Sequence, residues 1–265
     1  AYYLIDIAQK KLKNEDFEIK GKIYAFDSST IDLCLSVFWW AKFRKTKGGI
    51  KLHTLYDITT KIPVFIHITE ATIHDVNAMD VIPYEAGAYY VFDRGYVDFK
   101  RLYRITILSA FFVIRAKSNL KFNRMYSKKV NKQSGLMCDQ IGKLSGFYVS
   151  QDYPEKLRRI KFYDAESKRY FVYLTNNMDL AAEQIVLLYK NRWQVELFFK
   201  WIKQHLKIKS FWGTSENAVR IQIYSAIIAY CLVAIVGKEL KLERSTYEIL
   251  QILGISLLDK TPINE

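Results

Sequence analysis

Two short runs of this chain are apolar at every position and lead straight into an aspartate: Ile23-Tyr24-Ala25-Phe26-Asp27 and Tyr89-Tyr90-Val91-Phe92-Asp93. A strand with one face in water alternates apolar and polar side chains, because successive side chains point to opposite faces. Unbroken apolar runs instead predict strands covered on both faces, as in the inner part of an α/β sheet. A chain of 265 residues can build such a core, as one large domain or two small ones. The aspartates stand at or just past the carboxyl ends of the predicted strands, where open α/β sheets bind their ligands. Taken singly, each is also an ordinary turn or cap residue.

The pattern between and beyond these runs predicts the remaining elements. Residues 49–56 and 62–69 flank the turn 57–61 as a hairpin, which with 23–28 gives three consecutive antiparallel strands. A short helix is expected over 74–81, stopped near Pro83, then a strand at 88–92, a helix at 98–108 and a strand at 110–115. Alternation in 146–150, 157–163 and 169–174 reads as β-structure. Segment 180–206 lacks Gly and Pro and is rich in helix formers, with Asp179 available as a cap. A second long helix, 215–238, is apolar nearly all round and reads as a core helix, and 244–254 reads as a peripheral amphipathic one.

On a single helix at about 100° per residue, Tyr189, Arg192, Glu196 and Lys203 fall within an arc of roughly 60°. That face could be a solvated one with an Arg192/Glu196 pair four residues apart. It could equally bind a metal ion through Glu196 while the cations and the phenol hold phosphates. Two aspartates and a glutamate brought together repel unless cations bridge them. Hard oxygen ligands suit Mg²⁺ or Mn²⁺, and two such ions stabilise the attacking and leaving oxygens of displacement at phosphorus. His53, His67, His74 and His205 show no metal-binding spacing, and Cys34, Cys138 and Cys231 lie far apart.

At these residues the chain resembles the DDE transposases of bacterial insertion sequences, in the branch marked by a Y-R-E-K helix signature. The likeness is carried by Phe26-Asp27-Ser28-Ser29, Asp93-Arg94-Gly95-Tyr96, and Tyr189, Arg192, Glu196 and Lys203 at the signature's spacing, and runs from Gly21 to Ala234. It implies an α/β fold with a ribonuclease-H-like mixed sheet and flanking helices, interrupted by an all-β insertion. The corresponding division is 21–115 and 179–265 for the catalytic core, 116–178 for the β-rich insertion and 1–20 for the remnant of an N-terminal region. It implies metal ligation by Asp27, Asp93 and Glu196, two Mg²⁺ or Mn²⁺ ions, and phosphate contacts from Tyr189, Arg192 and Lys203. The expected activity is cleavage and joining of double-stranded DNA at transposon ends, by a homodimer on DNA. A structure-specific endonuclease of the same fold, or a truncated and inactive DNA-binding copy, are the rival expectations.

Charge agrees with a polyanionic partner: the formal net charge is +13. Lys200, with Lys207 and Lys209, lengthens the basic side of the 180–206 helix. Arg158, Arg159 and Lys161 are the expected DNA contacts of the insertion. Lys42, Arg44, Lys45 and Lys47 beside Trp39-Trp40 form a basic-aromatic loop suited to DNA or simply to solvent. Trp193 and Trp201 read as core anchors. Unpaired cysteines and the absence of a leader pattern point to the bacterial cytoplasm, at the nucleoid. No membrane is expected, since the longest apolar run, 223–236, is shorter than a span of ~20 residues.

Overall fold

The computed structural model describes residues 1–12, 19–44, 47–205, 211–242, 244 and 248–252, with backbone alone for 42–44, 47 and 205. In chain order the elements are α1 (Tyr2–Lys11), β1 (Ile23–Leu33), β2 (Lys42–Arg44), β3 (Lys47–Asp57), β4 (Ile62–Glu70), β5 (Tyr89–Phe92), α2 (Phe99–Ile107) and β6 (Phe111–Arg115). There follow β7 (Phe122–Lys128), β8 (Leu136–Leu144), α3 (Phe147–Asp152), β9 (Leu157–Asp164), β10 (Arg169–Thr175), α4 (Ala182–Asn191), α5 (Trp193–His205) and α6 (Glu216–Glu239). They form two compact units: Ala1–Asp16, Ser29–Thr72 and Glu196–Glu265 make the first, and Phe17–Ser28 with Ile73–Val195 the second.

The second unit holds the mixed sheet. Its strands run β1-β5-β6-β10-β9-β8-β7, the first three parallel and the rest antiparallel. All four residues of β5, and Ile23 to Phe26 of β1, are buried, as their unbroken apolarity predicts. Tyr24, Phe26, Tyr90, Phe92 and Phe112 fill this core, and α2 is capped by Asp98, whose carboxylate accepts from the Arg101 amide at 3.0 Å. The short helix expected over 74–81 is the 3₁₀ helix Asp75–Val81.

One expectation for 116–178 changes. The segment is not all β: 147–152 is the helix α3, whose Phe147 and Tyr148 are 73% and 76% exposed. Alternation marks a strand only when one of its faces is buried, and neither ring here is. In addition, β10 hydrogen-bonds directly to β6, pairing Leu174 with Ile114, so these strands extend the sheet that holds β1 and β5. The strands β7 and β8, absent from the sequence reading, complete the extension; β7 is almost wholly exposed at its edge.

In the first unit β3 and β4 form the expected hairpin, with Leu52 opposite Ile68 and His53 opposite His67. Asp57 closes its turn by accepting from the Thr59 amide (2.9 Å), the Thr59 hydroxyl (2.6 Å) and the Thr60 amide (3.2 Å). β2 pairs with β3, so Lys42 to Arg44 form a strand rather than a loop. Among the described residues α6 is the one helix long and apolar enough to cross a membrane. Its Val219, Ile223, Ile227 and Tyr230 belong to the core of the first unit, where Tyr230 meets Phe198 and Trp201. Trp201 is thus a core anchor; Trp193, 55% exposed, is not. Lys45, Lys207 and Lys209 lie outside the described residues, as does 244–254 apart from 244 and a helical turn at 248–252.

Candidate active site

The register of β1 against β5 sets the site. Phe26 pairs with Phe92 across two parallel strands, so Asp27 and Asp93 occupy the next position on each. β5 ends at Phe92, as expected, but β1 continues through Asp27 to Leu33, so Asp27 lies mid-strand rather than at a strand end. Both carboxylates are partly exposed.

Each aspartate is held by one side chain from the α4 region and by its own backbone surroundings. Arg192 Nη1 donates to Asp27 Oδ2 at 2.8 Å, in a pair whose side chains are 13% and 20% exposed. The Ser28 amide donates to Asp27 Oδ1 at 2.8 Å. The Tyr189 hydroxyl donates to Asp93 Oδ1 at 3.2 Å, and the Gly95 amide reaches Oδ2 at 3.3 Å as Asp93 caps the turn 94–96. Burial alone would raise the Asp93 pKa. The amides of Arg94 and Gly95, the Arg192 charge and the Tyr189 hydroxyl outweigh it and hold the carboxyl below its ordinary value. Burial pushes the Tyr189 phenol up to about 12, with Arg192 opposing and Asp93 assisting. Below these groups Tyr96 packs edge-on against Phe26, and the Ser28 hydroxyl donates to Asp75 at 2.8 Å. Tyr96 closes the Asp93-Arg94-Gly95-Tyr96 motif, whereas Asp75 carries no sequence signal that marks it as part of the site.

The expected single helix over 180–206 is two. α4 ends at Asn191 and α5 starts at Trp193, and around Arg192 the hydrogen bonds tighten to three-residue spacing: Arg192 amide to Tyr189 carbonyl, Val195 amide to Arg192 carbonyl. A turn of about 100° per residue therefore holds within each helix and does not carry through Arg192. Asp179 is not the cap. Asn177 Oδ1 accepts from the amides of Asp179 (3.0 Å) and Leu180 (2.8 Å), and the Gln184 side chain accepts from the Ala181 amide.

Glu196 is exposed in the first turn of α5, and Lys200 is exposed one turn on. Lys203 donates to the Thr30 carbonyl at 2.7 Å. The fold thus brings together Asp27, Asp93, Tyr189 and Arg192. Among the described residues no three His, Cys, Asp or Glu side chains converge closely enough to hold a metal ion.

Of the three cations expected to touch DNA on β9, Arg158 does not fit. It is 1% exposed and binds Asp139 through two bonds of 2.8 and 2.7 Å, while its Nη1 donates to the Leu180 carbonyl at 2.5 Å. A guanidinium enters a core only with its charge and donors satisfied, and the β8 neighbour supplies that. Arg159 is half-buried, bonded to Gln140 and stacked over Phe122 at 5.0 Å. Lys161 is exposed, over the Tyr170 ring at 4.8 Å.

Comparison with known proteins gives the family. Residues 18–232 match the family described as transposase DDE domain. A putative transposase, y4zB, of Sinorhizobium fredii is 38% identical over 238 residues, covering 88% of this chain and 65% of the relative. A probable transposase for insertion sequence element IS5377 of Geobacillus stearothermophilus is 32% identical over 219 residues, covering 78% and 54%. The chain therefore spans between half and two thirds of the length of these curated relatives. Its fold is shared with a piggyBac transposase solved as a synaptic complex with hairpin DNA: TM-score 0.52 at 10% identity, over 88% of this chain and 52% of that one. With the match extending over most of its length, the chain belongs to the transposase DDE domain family.

Proposed function

We propose that this chain is the catalytic region of an enzyme that cuts double-stranded DNA at the ends of a mobile element and joins those ends to target DNA. The observation that carries this reading is the placement of Asp27 and Asp93 at equivalent positions of adjacent parallel strands, beside Arg192 and Tyr189. Paired carboxylates with partly exposed oxygens fit a hard divalent cation such as Mg²⁺ or Mn²⁺. Asp27 and Asp93 would hold it, with Glu196 as the third ligand that family likeness assigns. Two such ions, when bound, supply activation of an attacking hydroxyl and stabilisation of the leaving oxygen.

The chain's own side chains place charge and protons around that pair. Tyr189 keeps its proton at neutral pH and, by donating it to Asp93, fixes the carboxylate's orientation. Arg192 offers a planar fork that suits a phosphate once it is shared with or released from Asp27. Lys200 and Lys203 extend the positive charge along α5, and exposed Lys161, with Arg159 beside it, is the contact expected from β9. The core, 21–115 and 179–265, is read as ribonuclease-H-like, with 116–178 as a β-rich insertion that lengthens its sheet. Bringing two DNA ends together calls for a homodimer on DNA, acting in the cytoplasm where a bacterial element resides.

The test is cleavage of duplex DNA carrying the element's ends in Mg²⁺. Asp27→Ala, Asp93→Ala and Glu196→Ala should each abolish cutting while leaving duplex affinity within a few-fold. Cutting that survives Asp93→Ala would overturn the site. Joining of a pre-cleaved end to a second duplex separates this reading from a plain endonuclease, which yields hydrolysis products only.

A further inference from the structure

Trp39 and Trp212 stand 74% and 92% exposed in the first unit, yet the backbone beneath each is pinned. Trp40 donates its Nε1 to the Thr214 carbonyl at 2.7 Å, and the Phe38 ring meets Phe211 edge-on at 5.9 Å. Segment 38–40 therefore lies against 211–214. The turn carrying Trp39 is closed by the Phe38 amide on the Cys34 carbonyl (2.9 Å) and the Ala41 amide on the Phe38 carbonyl (3.0 Å). Phe38 and Ala41 on either side are buried. The Trp212 amide donates to Gln222 Oε1 at 3.1 Å. Next to it, a Cβ on Gly213 would come within 2.6 Å of the Ala218 Cβ, so this close approach to α6 requires glycine. Folding thus fixes two large indoles in water on adjoining segments, and exposed apolar surface that is held in place signals a partner that covers it.

The surrounding sequence selects that partner. Between Asp32 and Asp57 there is no acidic residue, and five are Lys or Arg: Lys42, Arg44, Lys45, Lys47 and Lys51. Between Glu196 and Glu216 there is again none, with four lysines. Aromatic faces in strongly basic, acid-free segments match a nucleic acid strand whose phosphates meet the cations while its bases stack on the rings. Paired bases inside a duplex already stack on each other and offer the rings no face. We infer that Trp39 and Trp212 form a stacking platform for unpaired bases of a DNA strand. This rests on the DNA-processing reading above and adds a second contact region to it.

The experiment compares a labelled mixed-sequence oligonucleotide, single-stranded and as its duplex, by anisotropy with the purified chain. Single-stranded DNA should quench the intrinsic tryptophan fluorescence. Trp39→Ala combined with Trp212→Ala should weaken single-strand binding on the order of tenfold or more, the scale of losing a base-stacking ring. Duplex binding should stay within about twofold if only stacked bases are lost. Phe at both positions should restore most of the affinity, because a smaller aromatic face still stacks. Unchanged single-strand affinity, an equal loss for both DNA forms, or failure of the Phe variant to rescue would each overturn the platform. Wild-type chain that binds neither form would instead sink the DNA reading itself, and this inference with it.

Discussion

At Asp93 burial and hydrogen bonding act in opposite directions, and hydrogen bonding wins. Its folded pKa lies below the unfolded value, so its contribution to stability is present above roughly pH 4 and is lost as pH falls through the folded value. Asp93→Asn should therefore flatten part of the acid limb of a stability–pH curve. Asp80, held low by Arg101, and Asp164, held low by Ser167 and Lys190, retain their own share of that limb. An acid limb that is identical in wild type and Asp93→Asn would mean that the carboxyl is not held low by its neighbours. Across from it, Tyr189→Phe removes one hydroxyl bond and should cost ~0.5–1.5 kcal/mol of stability. Arg192→Ala goes further by removing the cation from Asp27. If Arg192 also meets phosphate, that variant lowers the slope of log K against log[salt] by up to ~1. An unchanged slope would confine the residue to its ion pair.

The element that carries Tyr189 is anchored from β8 and β9. Arg158 joins Asp139 on β8 to the Leu180 carbonyl just before α4, and Asn177 binds the amides of Asp179 and Leu180 and the Tyr89 hydroxyl. Lys190 near the other end of α4 pairs with Asp164 at the end of β9. Arg158→Ala leaves a buried, unpaired Asp139 and should cost ~3–5 kcal/mol, read as a lower melting temperature. Replacing both partners, Arg158→Met with Asp139→Leu, should recover most of it, since well-packed apolar residues often substitute for a buried pair. Failure of the double variant to recover would place the importance of Arg158 in its bonds to the α4 entrance. Lys161→Ala, three residues along on an exposed side chain, should leave stability within ~0.5 kcal/mol and weaken DNA binding instead. The expectation that Arg158, Arg159 and Lys161 act as one DNA-gripping set fails for this reason: β9 turns one of them inward.

For the whole molecule the dominant fact is charge. At a net +13, DNA association should weaken steeply with salt, log K falling linearly with log[salt] by about 0.9 for each neutralised duplex phosphate. Affinity that is indifferent to salt would show that the excess of cations faces away from any DNA contact. Of the four points at which the chain passes between the two compact units, Ser28/Ser29 falls inside β1 and Val195/Glu196 inside α5. The relatives are longer than this chain, and joining of two DNA ends is a property proposed for the assembled protein rather than for either unit.

Local rules were enough for the strand at 89–92, the hairpin 47–70 and the helix 216–239, because period, turn residues and unbroken apolarity are properties of neighbouring residues. They were also enough to single out Asp27 and Asp93, which end apolar runs. They could not place those residues side by side: that follows from the pairing of Phe26 with Phe92, a contact between strands far apart in sequence. Nor could they tell Arg158 from Lys161, since a buried guanidinium and an exposed ammonium look alike in a basic strand until Asp139 is brought opposite one of them. The helix of 180–206 had the propensity to continue, yet it breaks at Arg192, the residue whose side chain reaches Asp27. Propensity is worth tenths of a kcal/mol per residue, while a partly buried ion pair depends on groups that only the tertiary fold brings within reach.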